Sequence, residues 1–192
     1  MKEHIIHGTT SENLKKILIN GFIDNNLKKR MMYYNKNHKQ IFTQLIYKNI
    51  PNESTQIPYW FKCAIILDKK LFKDFPFYAC NIGAFSETFR EGINKTTNIV
   101  KGNGNLIRIP SLSKLKKHIN ETMDHPNILA THFMHSHEIL FGKKISIAKY
   151  CKCIVIAGEK NIKLEKICNK LGLPFKYRNF DVGINNLLNL MV

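Results

Sequence analysis

No apolar run in this chain approaches the roughly 20 consecutive residues needed to cross a bilayer. Its first residues include an acid, Glu3, and lead into a helix pattern instead of the apolar core of a signal peptide. The expectation is an intracellular, soluble protein with no membrane partner, cytoplasmic in its own cell or, for a viral chain, in the host. Cysteine is scarce too. Cys63, Cys80, Cys151, Cys153 and Cys168 are odd in number and scattered, which excludes a regular disulfide framework. Only Cys151 and Cys153 lie close, and that spacing is tighter than a zinc knuckle uses. On a strand the two would point the same way, and buried free thiols in a reducing compartment are the better reading.

Arginine and acids are also few. Of 30 basic residues only Arg30, Arg90, Arg108 and Arg178 are arginines, and with 14 acids the formal charge is +16. Such an excess attracts phosphate-rich partners through its long-range field. It also follows from AT-rich coding sequence, which favours Lys, Asn and Ile. No basic stretch reads as interleaved with aromatics in the way a base-stacking platform requires. There is no internal repeat and no low-complexity tract. What is present is 44% hydrophobic residues over 192 positions, enough for one domain spanning 1–192 with a sizeable core.

The stretch HIIHGTTSENLKKILINGFI opens that domain. An apolar strand stops on His7-Gly8-Thr9-Thr10, and Thr10 or Ser11 can cap the helix that follows. Leu14, Ile17 and Leu18 fall on one helical face, and Gly21 sits where a C-terminal cap belongs. Further along, QIFTQLIY (40–47), YWFKCAIIL (59–67) and FPFYACNIG (75–83) read as strands or strand-bearing stretches. SLSKLKKHINETM (111–123) reads as a helix with Leu112, Leu115 and Ile119 inward. ILATHFM, HEILFGKKISI and KCIVIAG read as sheet, and NIKLEKICNKLGLP as a helix closed by Gly172 and Pro174. Gly102-Asn103-Gly104 is too short, and wrongly flanked, for a dinucleotide fingerprint and reads as a loop. Ser86, Glu87 and Arg90 lie in a stretch suited to a cleft wall or an exposed turn.

Glu138 heads the buried-type segment Ile139-Leu140-Phe141. A carboxylate there must be paired, hydrogen-bonded or functional, because an unpaired buried charge is costly. A salt bridge to Lys143 or Lys144, or exposure at an edge, is the plain structural alternative. Just before it stand His132, His135 and His137, which read as cleft or surface residues; without a second ligand group they do not make a metal site.

Taken together, these stretches resemble the ADP-ribosyltransferase superfamily, in its poly(ADP-ribose) polymerase-like branch. His7-Gly8-Thr9 followed by Asn13-Leu14-Lys15-Lys16-Ile17-Leu18-Ile19-Asn20-Gly21 is similar to that branch's opening strand and helix. Glu138-Ile139-Leu140-Phe141, then Ile145, Ile147, Lys149 and Tyr150, is similar to its closing signature of a glutamate-headed strand and a lysine-bearing hydrophobic strand. Between them Ile41-Phe42-Thr43 stands where the branch carries a tyrosine, so Phe42 keeps the ring and loses the hydroxyl. Tyr47 suits the second nicotinamide-stacking tyrosine; Tyr33 and Tyr34 are alternatives.

The resemblance implies an α+β fold of two packed, mainly antiparallel sheets flanked by helices, with a cleft for NAD as substrate. It implies transfer of ADP-ribose to a protein acceptor by Glu138 and His7, and the compact chain, in which no regulatory or acceptor-binding domain is read, favours mono-transfer over polymer growth. NAD contacts would come from His7, Gly8, Thr9, Thr10, Phe42, Thr43 and Tyr47. The chemistry suits those residue types. Breaking the bond between nicotinamide and ribose builds positive charge on the ribose, which a fixed carboxylate stabilises. The Gly8 backbone can pair with the carboxamide at a closeness that a side chain would block. Three rivals stand beside this reading: ADP-ribosylation of nucleic acid, NAD-dependent 2′-phosphate removal from RNA, and a non-catalytic module that binds ADP-ribose or a partner.

Overall fold

The computed structural model describes residues 3–24, 41–46, 62–80, 107–123, 138–142 and 144–178. Within them the chain is α+β. Strands β1 (His4–Thr9), β2 (Phe22–Ile23), β3 (Ile41–Ile46), β4 (Cys63–Leu67), β5 (Phe77–Cys80), β6 (Ile107–Ile109), β7 (Glu138–Phe141), β8 (Ile145–Ser146), β9 (Cys151–Ala157) and β10 (Phe175–Arg178) alternate with helices α1 (Ser11–Asn20), α2 (Leu71–Asp74), α3 (Leu112–Met123), α4 (Ile147–Tyr150) and α5 (Ile162–Lys170). Eight strands form one sheet in the order β10-β9-β4-β1-β3-β7-β5-β6, while β2 and β8 form a two-stranded sheet. Every pairing is antiparallel except β9 with β10, the pair joined by α5 as a crossover.

This differs from two separate packed sheets. The halves β10-β9-β4-β1 and β3-β7-β5-β6 are joined by a short seam, in which His4, Ile5 and Ile6 face Ile46, Leu45 and Gln44. The seam gives both inner strands a backbone partner where each would otherwise be an edge.

β4 is buried at all five positions, so it reads as an unbroken apolar run instead of an alternating one. Around it Ile5, Ile65, Ile154 and Ile156 share a core with Leu14 and Leu18 of α1 and with Leu164 and Cys168 of α5. In the other half Ile139, Phe141 and Phe77 share that core with Leu115 and Ile119 of α3. Phe72, Phe77 and Phe141 meet there edge-on or tilted, at ring separations of 4.7–6.2 Å. The opposite sheet face is buried as well, at Ile6, Ala64, Ile66, Leu140 and Val155.

Local signals act as their chemistry demands. Thr10 caps α1, its hydroxyl accepting from the Asn13 amide at 3.2 Å, and Gly21 closes the helix at φ 73°. Gly172, at φ 64°, follows α5. Two expectations change. The segment Ile147–Tyr150 is a helical turn capped by the Ser146 hydroxyl, not a continued strand. Cys151 and Cys153 do not share a face: Cys151 pairs with Leu67 and Cys153 with Ile66, because a bulge at Lys152 shifts the register by one residue. The bulged Lys152 instead pairs with Asp68 at 2.8 Å. The elements β2, α2, β6, α4 and β10 carry no strong sequence signal and emerge only in the structure.

Candidate functional site

β3 changes partner half-way along its length. Its second half, Gln44–Ile46, ladders with β1, and its first half, Ile41-Phe42-Thr43, with Phe141-Leu140-Ile139 of β7. β1 in turn runs on past the seam, pairing His7, Gly8 and Thr9 with Ile65, Ala64 and Cys63 of β4. At the junction of the two half-sheets, His7-Gly8-Thr9 and Ile41-Phe42-Thr43 therefore continue beyond their shared ladder. Glu138 is the first residue of β7, directly before the residues that pair with β3, and is held opposite Cys80 of β5. Segments around residues 7, 42 and 138 thus lie on three consecutive strands, β1, β3 and β7.

No family model matches the chain, and no curated protein does.

Alternation sorts the β1 residues. Gly8 shares the face of Ile6 and Ala64, while His7 and Thr9 share that of Ile65 and Cys63. His7 and Gly8 are half-buried, Thr9 is buried at 5% exposure, and Thr10 is exposed. The Thr10 hydroxyl oxygen serves as helix cap, which leaves its proton to donate elsewhere. Thr43 is 2% exposed, and its hydroxyl donates to the Ile139 carbonyl at 2.9 Å. Its proton is committed to fastening β3 to β7, a structural task distinct from the ligand contact expected of it. The Ser11 hydroxyl lies 3.4 Å from the Cys63 thiol, whose pKa burial pushes up. Arg178, at the end of β10, is half-buried, and desolvation lowers its pKa.

Lys144, one of the cations that could neutralise Glu138, sits 2.9 Å from Asp24. Of the other expected positions, Tyr33, Tyr34, Tyr47, Ser86, Glu87, Arg90, Gly102, Gly104, His132, His135, His137 and Lys143 lie outside the described residues. Among the described residues no group of His, Cys, Asp and Glu is placed to hold a metal ion, and no helix is long and apolar enough to cross a membrane.

A second polar cluster was not anticipated. Asp74 of α2 accepts from Tyr150 Oη at 2.6 Å and from Lys149 Nζ at 2.8 Å. Those hydrogen bonds, Lys149 first, hold the Asp74 carboxyl below its ordinary range and raise the Lys149 ammonium. The cluster ties α2 to α4. Lys149 and Tyr150, read by resemblance as parts of the closing signature, here act as structural fasteners.

Proposed function

We propose that this chain transfers ADP-ribose from NAD to a protein acceptor and releases nicotinamide. The observation that supports the reading is the adjacency of β1, β3 and β7, which carry the His-Gly-Thr strand end, the aromatic segment and the strand headed by glutamate. These are the three parts that the chemistry needs on one ligand.

In this reading the Gly8 backbone pairs with the nicotinamide carboxamide and Phe42 offers its ring to the nicotinamide. The bond from ribose C1′ to the nicotinamide nitrogen breaks, nicotinamide leaves as the neutral base, and positive charge develops on the ribose. The Glu138 carboxylate stabilises that charge. The acceptor nucleophile then bonds to C1′ and gives up its proton. In this reading His7 and Glu138 act on different parts of one bound molecule rather than on each other. Phe42 lacks the hydroxyl of a tyrosine, so the reading puts the electrostatic work on Glu138.

The test is nicotinamide release from labelled NAD in a cell lysate, with label followed on protein and nucleic acid separately, for the wild-type chain and Glu138→Gln. Glu138-dependent label on protein is the expected result, with release falling by about 10²–10³-fold in the variant. Undiminished activity in folded Glu138→Gln removes Glu138 from the mechanism, and absence of release from the wild type overturns the transferase reading. Label on nucleic acid would support the second acceptor class, which the charge of residues 144–178 favours: nine Lys and Arg against two Glu.

A further inference from the structure

The cations of that C-terminal region are ordered. On α5, Lys163, Lys166 and Lys170 are all exposed and stand at i, i+3 and i+7. At 3.6 residues per turn they fall within about 60° of arc and form one stripe along the helix. Lys160, also exposed, precedes the helix by less than a turn. The acid of α5, Glu165, is turned away from the stripe and accepts from Tyr177 Oη at 2.7 Å. Other acids are engaged elsewhere: Glu12 with Lys16, Asp24 with Lys144, Asp68 with Lys152, Asp74 with Lys149, and Glu3 with Lys116. With Glu165 turned away, Lys163, Lys166 and Lys170 form a basic ridge on the helix, with exposed Glu159 next to Lys160 before it, at the end of the sheet that β10 borders.

We infer that the lysine stripe of α5 is a docking surface for the phosphate backbone of nucleic acid. A ridge of ammonium groups spaced by helical turns complements a row of regularly spaced phosphates and reads no base identity. Stacking adds nothing here. Phe175-Lys176-Tyr177-Arg178 does alternate aromatic and basic residues, but Phe175 and Tyr177 pack against the core with their rings 6.2 Å apart. Binding is thus electrostatic and sequence-tolerant. It stands independently of the transferase reading, because it is measured without NAD.

The experiment is fluorescence anisotropy of a short labelled single-stranded oligonucleotide across a salt series. The wild type, a Lys163→Ala/Lys166→Ala/Lys170→Ala variant and the corresponding triple Arg variant are compared. A control of equal charge loss, Lys69→Ala/Lys70→Ala/Lys73→Ala around α2, is run beside them, and circular dichroism verifies the fold of each. Single-stranded contacts contribute about 0.7 each to the slope of log affinity against log salt, so the Ala stripe variant should lower its magnitude by about 2. The Arg variant and the α2 control should keep the slope. Equal loss in stripe variant and control reduces the effect to net charge and overturns the proposal. So does the absence of oligonucleotide binding, or binding of phosphatidylserine vesicles alone, which would identify a lipid surface instead.

Discussion

Replacing Thr43 by Val tests the join between β3 and β7 on which the candidate site depends. The substitution keeps the β-branched shape and removes only the hydroxyl, whose proton is donated to the Ile139 carbonyl at 2.9 Å in a site 2% exposed. A net hydrogen bond contributes about 0.5–1.5 kcal/mol, and stranding a buried acceptor costs about 1–3 kcal/mol. The methyl that replaces the hydroxyl returns about 0.8 kcal/mol of apolar burial. The expected destabilisation is therefore about 1–2 kcal/mol. For a domain of this size each kcal/mol moves Tm by about 2–4 °C, so thermal unfolding followed by circular dichroism should show a fall of about 2–8 °C. Because Glu138 directly precedes Ile139, nicotinamide release well below both transitions should fall as well. A variant as stable as the wild type would refute the reasoning, because the carbonyl would then not depend on the Thr43 hydroxyl.

Thr10→Ala removes the acceptor for the Asn13 amide and should cost about 1 kcal/mol, read as a Tm lower by about 2–4 °C; an unchanged Tm would mean that solvent caps α1 equally well. Stability should fall in acid through Asp68, whose pKa is lowered by hydrogen bonds from Lys152 Nζ and the Lys70 amide. A folded pKa below the unfolded 3.8 means that this contribution is complete above 3.8 and is lost as pH falls through the depressed value. Urea unfolding of wild type and Asp68→Asn should accordingly differ at neutral pH and converge in strong acid; a gap independent of pH would contradict the linkage. The thiols should resist modification at pH 8, because burial pushes Cys63 and Cys153 up, Cys168 to about 11 and Cys151 to about 12. Rapid reaction at any of these four in the native protein, located by mass spectrometry, would contradict that.

Much of the local structure was written in short-range chemistry. Thr10 and Gly21 bracket α1 because a hydroxyl cap and a left-handed residue act within a turn of the chain. The apolar run of β4 announces burial on both faces, and the 3.6-residue spacing of Leu115 and Ile119 announces the inner face of α3. The His-Gly-Thr strand end and the glutamate-headed strand were visible as motifs for the same reason, since each is a local pattern. Short elements escaped: β2, β6 and α4 have two to four residues, too few to display a period, and are held by partners distant in sequence.

Tertiary structure alone decided the rest. That Thr43 donates its proton to β7, that Lys144 belongs to Asp24, and that a bulge at Lys152 turns Cys151 and Cys153 to opposite faces all depend on register between distant strands. So do the three-pair seam between the half-sheets and the placing of β1, β3 and β7 side by side. A strand's own residues specify which faces are apolar, but its neighbour is chosen by burial and backbone pairing summed over the whole sheet.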